Sequence, residues 1–146
     1  MALQLIPSAV RTVSGNSGAL ANLKPERISG ALFQLAVTAA ATAAGDTLNV
    51  YIQHSGDNGT TWDDFLSFTQ VLGNGGVKNF IAGQTEEGAT PAALHPVADG
   101  SLAAGTVNQG PLGDLWRVKW VVVNGTAASF TFAVFCSPQP FGRAGA

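Results

Sequence analysis

The chain has 146 residues, of which only 11% are charged, and seven basic against nine acidic side chains leave a formal net charge of −2. An average soluble domain carries roughly 25% charged residues, and this chain has no block of basic residues, so the sequence disfavours a surface that tracks nucleic-acid phosphates. Although the mean hydropathy is +0.22, no apolar run approaches the 18 or so residues of a membrane-spanning helix, and the single cysteine rules out an internal disulfide.

Residues 1–29 are predicted to form an N-terminal arm or edge strands. Short apolar pieces alternate there with Pro7 and with a Ser-Gly-Asn-Ser-Gly run. The first residues lack the basic start and the long apolar block of a secretory signal. We expect Leu3, Leu5 and Ile6 of this arm to contact a partner.

Apolar and polar residues alternate along 31–38 and 47–54, which is the two-residue period of a half-buried strand. The predicted inward side chains are Phe33, Leu35 and Val37 in the first segment and Leu48, Val50 and Ile52 in the second. The alanine-rich residues 36–45 have high helix propensity, but their strand-like flanks favour a strand end and a hairpin loop. Tyr51 lies opposite the inward set, and we expect it on the surface as an anchor for a partner.

Residues 55–62, Ser-Gly-Asp-Asn-Gly-Thr-Thr-Trp, fit the pattern Ser-x-Asp-x-Gly-x-Thr-Trp and resemble the Asp-box of sialidase propellers. In such a hairpin the aspartate accepts hydrogen bonds from nearby amides, the glycine supplies a positive φ, and the tryptophan packs onto the strand pair. A propeller carries several copies at repeat spacing, whereas this chain has one. We therefore interpret the motif as a structural hairpin made of Ser55, Asp57, Gly59, Thr61 and Trp62.

Residues 83–113 are rich in Gly, Ala and Pro and are predicted to form a long loop, of a length typical of functional or disordered connections. The predicted inward side chains after this loop are Trp116, Val118, Trp120 and Val122 in 114–123 and Phe130, Phe132 and Val134 in 129–136. Asn124-Gly125 lies between these segments and predicts a hairpin. Residues 138–146 are predicted to form a tail in which Phe141 contacts a partner.

Candidate catalytic residues are sparse. His54, His95 and Cys136 are the only histidines and the only thiol. One interpretation is a Cys-His pair or a His-His-Asp metal site with Asp57, and the other is that the histidines are ordinary solvated or capping residues. The second interpretation is preferred, because no metal-ligand spacing is present. Adjacent Asp63 and Asp64 point to opposite faces of a strand and cannot form a glycosidase pair. The sequence therefore predicts no enzyme, no metal and no cofactor.

The run LNVYIQHSGDNGTTWDDFLSFTQ, followed after the long loop by LGDLWRVKWVVVNGTAASFTFAVF, resembles the β-sandwich structural modules of tailed bacteriophages, and most of all their small capsid decoration proteins. The resemblance covers residues 30–82 and 112–136. It implies a protein without catalysis, made in the host cytoplasm, that binds the major capsid protein on the virion exterior. The family commonly acts as a trimer and braces the shell against its packed DNA.

The scarcity of charge agrees with that class. A folded monomer of this mass exposes roughly 7,000 Å² of surface, so its few charged side chains leave uncharged areas that are suited to association. The sequence predicts an all-β sandwich or jelly-roll of about eight antiparallel strands over residues 30–137, which forms a homo-oligomer and decorates a capsid. The alternative is a carbohydrate-binding or adhesin module of a phage tail or baseplate that uses exposed aromatics such as Tyr51 and Trp62. A hydrolase built on the single Asp-box ranks third.

Overall fold

The structure, a computed structural model, describes residues 2–21, 23, 28–85, 96–108, 113–124 and 127–140. All regular secondary structure in these ranges is β, which confirms the predicted fold class. The ten strands are β1 (Leu3–Arg11), β2 (Gly15–Asn16), β3 (Ile28–Ala40), β4 (Thr47–Ser55), β5 (Asp63–Ser67), β6 (Val71–Leu72), β7 (Lys78–Thr85), β8 (Thr106–Val107), β9 (Leu115–Val123) and β10 (Phe130–Pro140).

The strands form two antiparallel sheets that pack as a sandwich. The four-stranded sheet has the order β1-β10-β3-β7, and the six-stranded sheet has the order β2-β9-β4-β5-β8, with β6 also paired to β4. The structure has ten strands where the sequence predicted about eight. The difference arises because β2, β6 and β8 are two-residue pairings.

The core lies between the two sheets and is built by the predicted alternation. Eleven of the side chains that were predicted to point inward are at most 1% exposed. They are Phe33, Leu35, Val37, Leu48, Val50, Ile52, Trp116, Val118, Phe130, Phe132 and Val134. Trp116 stacks on Phe33 of the opposite sheet with ring centroids 5.6 Å apart, and Phe65 meets the Trp116 ring edge-on at 5.2 Å. Because removal of apolar surface from water contributes roughly 25 cal/mol per Å², this aromatic cluster stabilises the contact between the sheets.

Two predicted hairpins are connections between the sheets. β9 pairs with β4 in one sheet, whereas β10 pairs with β1 and β3 in the other, so the prediction of an aromatic hairpin at Asn124-Gly125 is wrong. Residues 41–46 likewise join β3 of one sheet to β4 of the other. The error has a physical cause: an arch between layers reverses the chain as a hairpin does, and both strands still turn their apolar side chains toward one core.

The arch at 41–46 is closed by a second connection, which follows β6. Thr42 N–H donates to the carbonyl of Gly73 at 2.7 Å, and Gly73 N–H donates to the carbonyl of Asp46 at 2.7 Å. A Cβ atom on Gly73 would collide with the carbonyl oxygen of Ala43. Glycine is therefore required where the two connections cross, and together they close one end of the sandwich.

The N-terminal segment is an edge strand of the four-stranded sheet. Leu5 and Ile6 are 7% and 4% exposed and belong to the core, while Leu3 packs against that core partly buried. Leu5 and Ile6 therefore lie inside the folded monomer, and their contact with a partner stays a prediction. A register shift between Gln4 and Ile6 explains the burial, because such an irregularity lets consecutive side chains face the same side of a strand. Phe141 lies outside the described residues.

Candidate functional site

The two outer faces of the sandwich differ, and each receives a name here. The outer face of the six-stranded sheet, around Gln53, Asp64 and Arg117, contacts residues 96–108 and is called the covered face. The outer face of the four-stranded sheet is called the bare face. It consists of three rows of cross-strand neighbours, which are Gln4, Phe135, Gln34 and Ile81, then Ala133, Ala36 and Asn79, then Ser137, Leu32 and Gly83.

On the covered face, Asp64 fixes part of the predicted long loop. Its carboxylate is fully buried and accepts hydrogen bonds from the backbone amides of residues 100, 101 and 102 at 2.9, 2.8 and 3.0 Å. Asp64 N–H also donates to the carbonyl of Ala98 at 2.7 Å. Because a buried carboxylate needs hydrogen-bond partners, these amides hold the segment against β5.

Gln53 extends this arrangement into a network of polar side chains. It is fully buried, and its amide nitrogen donates to Asp64 and to Asp99, both at 2.7 Å. Its amide oxygen accepts from Arg117 Nε at 2.6 Å, and Lys119 Nζ contacts Asp99 at 2.8 Å. Asp99 thus pairs with both Lys119 and Arg117, and Asp64 is joined to Arg117 through Gln53.

The pKa of Asp99 reflects this network. Burial by itself would raise the pKa of this carboxyl group. Hydrogen bonds from Lys119 and Gln53, together with the positive charges of Lys119 and Arg117, outweigh that effect and hold the pKa below its ordinary value. The ionised form of Asp99 is therefore favoured by its neighbours.

Tyr51 also lies on the covered face, and the prediction that it is an exposed anchor is wrong. Its side chain is 6% exposed, although it points away from the core between the sheets, as the alternation predicted. Its cross-strand neighbours are Ser67 and Lys119, and both contact the segment 96–108, through Gly105 and Asp99. Burial and the negative charge of Asp64 raise the pKa of Tyr51. The covering segment has turned an outer position into an inner one.

The Asp-box hairpin joins β4 to β5 at one end of the covered face. Asp57 accepts hydrogen bonds at 2.8 Å from Thr61 N–H, from the Thr61 hydroxyl and from the Ser55 hydroxyl. Those bonds lower the pKa of Asp57, with the Thr61 backbone amide contributing most. Asn58 and Gly59 have φ of 62° and 84°, the left-handed conformation that a tight turn requires and that glycine adopts most readily. The described contacts of Asp57 lie within the turn.

The aromatic rings that could have formed a sugar platform are covered. Trp62 is 9% exposed, its indole N–H donates to Gly59 O at 3.1 Å, and the Arg117 guanidinium lies 4.5 Å from its ring centroid. Trp120 has the Arg11 guanidinium at 4.8 Å, and its indole N–H donates to Val13 O at 3.1 Å. Stacking on a sugar requires an open ring face, so the prediction that Trp62 and Tyr51 are exposed for this purpose is wrong.

A cavity of about 340 Å³ opens beside the hairpin and is lined by His54, Gly56, Asp57, Thr61, Asp63 and Val97. His54 Nδ1 accepts from Gly113 N–H at 2.9 Å, and Nε2 lies 3.5 Å from Asp63 Oδ2. This geometry places the proton of the neutral ring on Nε2, facing the carboxylate. Both ring nitrogens are thus engaged, Nδ1 by Gly113 and Nε2 by Asp63.

The other residues with chemical potential lie apart from this cavity. Cys136 is buried in the core, and burial raises the pKa of its thiol to about 12, so the thiolate needed for nucleophilic attack is disfavoured. His95 lies outside the described residues. Within the described ranges, no group of three or more His, Cys, Asp or Glu side chains is placed to hold a metal ion. No helix in the same ranges is suited to crossing a membrane.

Sequence reasoning missed the network of Gln53, Asp64, Asp99, Arg117 and Lys119. Its members are separated by up to 66 positions, and no local motif joins them. The available signal was the adjacent pair Asp63-Asp64, one of which had to lie on the outer side of its strand.

Comparison of the chain with protein-family models, with curated proteins and with solved structures found no match.

Proposed function

We propose that this protein is a structural component of a bacteriophage virion, which binds the major capsid protein on the outside of the shell and stabilises it as a homo-oligomer. The trimer is the proposed state. The observation that carries the proposal is the bare face, a sheet surface with exposed apolar side chains on a sandwich whose other outer face is closed by its own chain. Ile81 and Leu32 of the bare face are 65% and 40% exposed. Surfaces of this kind are typical of protein–protein contact.

The burial of the aromatic residues favours this proposal over carbohydrate binding. Tyr51 and Trp62 are 6% and 9% exposed, and a cation covers the Trp62 ring. The polar groups of the Asp-box form hydrogen bonds within the hairpin. Those of the covered face form hydrogen bonds and ion pairs within that face. Shell binding needs neither an open aromatic ring nor a catalytic group, only complementary surfaces.

An oligomer is well suited to stabilise a shell. Each subunit needs only a modest contact with the capsid protein, because the first contact raises the effective concentration for the next. An oligomer that spans several capsid subunits therefore holds them together with an avidity that a single subunit lacks. In this proposal the protein is located on the capsid exterior.

The decisive experiment is co-sedimentation with emptied phage capsids that lack the protein. We expect the purified chain to pellet with the capsids and to reach saturation at a fixed number of copies per shell. Capsids already saturated with the protein serve as the control and should bind no more. A chain that stays in the supernatant at tens of micromolar would overturn the proposal, and binding to a glycan array that is lost in Trp62→Ala would favour the carbohydrate alternative.

A further inference from the structure

We propose that the hydrogen bond between His54 and Gly113 is a pH-sensitive latch. With a neutral imidazole, the latch holds the chain that enters β9 against the end of β4. Protonation of the ring releases that chain. The inference goes beyond the proposed function and does not depend on it, because every contact involved lies within one chain.

The latch joins a side chain to the backbone. Gly113 N–H donates to His54 Nδ1 at 2.9 Å, and a ring nitrogen accepts a hydrogen bond only while it carries no proton. In the doubly protonated ring, Nδ1 becomes a donor and faces the donor N–H of Gly113. Two donors cannot share a hydrogen bond, so protonation of Nδ1 breaks this contact.

The broken contact lies where the chain enters β9. That strand begins at Leu115, whose cross-strand neighbour is Ser55 at the end of β4. A Cβ atom on Gly113 would collide with the carbonyl oxygen of Ser55, so Gly113 rests directly on the β4 backbone. Because His54 holds Gly113 in this position, loss of the hydrogen bond should loosen the pairing of Leu115 with Ser55.

The charged groups near the ring stabilise its protonated form. His54 Nε2 lies 3.5 Å from Asp63 Oδ2 on β5, and Asp57 of the hairpin lines the same cavity. Asp114, the residue after Gly113, adds a carboxylate to the segment that the latch holds. Carboxylates close to an imidazole favour the imidazolium. A proton taken up by His54 therefore gains an ionic interaction with Asp63 while the Gly113 hydrogen bond is lost.

The ring is also accessible to protons from solution. The His54 side chain is 18% exposed and borders the cavity of about 340 Å³. Its aromatic neighbours, Phe65 on β5 and Trp116 on β9, are uncharged and have ring centroids 6.4 Å away. Histidine side chains titrate near pH 6.5. The latch should therefore open in mildly acid solution, in which carboxylates are still ionised.

The test follows one ring and one amide of the isotope-labelled full chain by NMR, from about pH 8 to about pH 5. Chemical shifts of the His54 ring report its protonation, and exchange of the Gly113 amide with water, relative to an unfolded chain at the same pH, reports the latch. We expect the protection of Gly113 to fall at least about tenfold in step with His54 protonation. The Thr61 amide, which donates to Asp57 at 2.8 Å, should keep its protection and so verify that the fold persists.

The matched control is His54→Asn, because the side-chain oxygen of asparagine accepts hydrogen bonds as Nδ1 does and does not titrate in this range. In that variant the protection of Gly113 should not depend on pH. His54→Ala removes the acceptor, so Gly113 should be weakly protected at every pH. If Gly113 stays protected while His54 titrates, or if its protection falls equally in His54→Asn, the inference is overturned. A ring that remains neutral down to about pH 5 also overturns it.

Discussion

The two outer faces of the sandwich solve one physical problem in opposite ways. Each sheet must present its outer side chains to something, and on the covered face that partner is the chain itself. There Gln53 and Asp64 are fully buried, which is tolerable only because their polar atoms are hydrogen-bonded. On the bare face, Ile81 remains 65% exposed. The difference teaches that this chain covers one outer face with its own residues and leaves exposed apolar side chains on the other.

The two outer faces also differ in where charged side chains lie. Asp64, Asp99, Arg117 and Lys119 are concentrated on the covered face, where they neutralise one another and fix the segment 96–108. The ten residues that define the bare face include no charged side chain, although Arg11 and Lys78 lie at strand ends of the same sheet. The low charge content of the sequence is therefore distributed unevenly over the surface.

The largest expected effect is that of Asp64→Ala, which removes the acceptor for three loop amides and for Gln53. An unsatisfied buried polar group costs about 1 to 3 kcal/mol, and after rehydration of part of the loop we expect a net loss of about 3 kcal/mol in the free energy of unfolding. Urea unfolding measures this loss. The control is Asp99→Ala, at a more exposed site, which should cost less than about 1 kcal/mol. Equal losses for both variants would show that Asp64 does not hold the covered face together.

A second pair of variants compares the inner and outer sides of one strand, β1 of the four-stranded sheet. Ile6→Ala creates a cavity in the core and should cost about 2 to 3 kcal/mol, because an edge strand can relax into part of that cavity. Val10→Ala, at a position that is 63% exposed, should change stability by less than about 0.5 kcal/mol. The labelling rate of the buried Cys136 thiol provides the measurement, since it rises when the sheet opens. A stable Ile6→Ala variant would mean that β1 is not anchored in the core.

Acid should weaken the interactions of Asp99 on the covered face and leave the uncharged bare face unchanged. The pKa of Asp99 is lowered in the folded protein, so its stabilising contribution is present above the ordinary value of about 3.9 and is lost as the pH falls through the folded pKa. The free energy of unfolding of the wild type should therefore fall more steeply below about pH 4 than that of Asp99→Ala. Because the bare face has no charged side chain, contacts made through it should not change between pH 8 and pH 5. A carboxyl titration of Asp99 at or above its ordinary pKa would contradict this account.

The smallest expected effect is that of Asp57→Ala in the hairpin beside the covered face. Loss of the Thr61 and Ser55 hydrogen bonds should accelerate amide exchange at Thr61 and leave oligomerisation and capsid binding unchanged. Asp57→Asn keeps an acceptor and should lie between the wild type and Asp57→Ala. If Asp57→Ala abolished binding to any partner, the hairpin would be a site of function and not only a turn.

Local sequence predicted the long strands β3, β4, β9 and β10 and their inner sides because side chains alternate across a strand whatever sheet it joins. The triplet Leu48, Val50 and Ile52 and its counterparts on β3 and β10 are therefore buried as predicted. The Asp57–Thr61 turn could likewise be predicted from the sequence, because its hydrogen bonds join residues within a few positions. These features need no knowledge of the rest of the chain.

Tertiary structure decided which sheet each strand joins and which outer face is covered. Asn124-Gly125 predicted a reversal, but the choice between a hairpin and an arch depends on pairing with β4 and with β3, which are distant in sequence. Tyr51 pointed outward as predicted and is nevertheless buried, because residues 96–108 fold back over its neighbours. Hydrogen bonds between strands and between a loop and a sheet are non-local, so alternation along the chain determines the sides of a strand but not what finally lies against them.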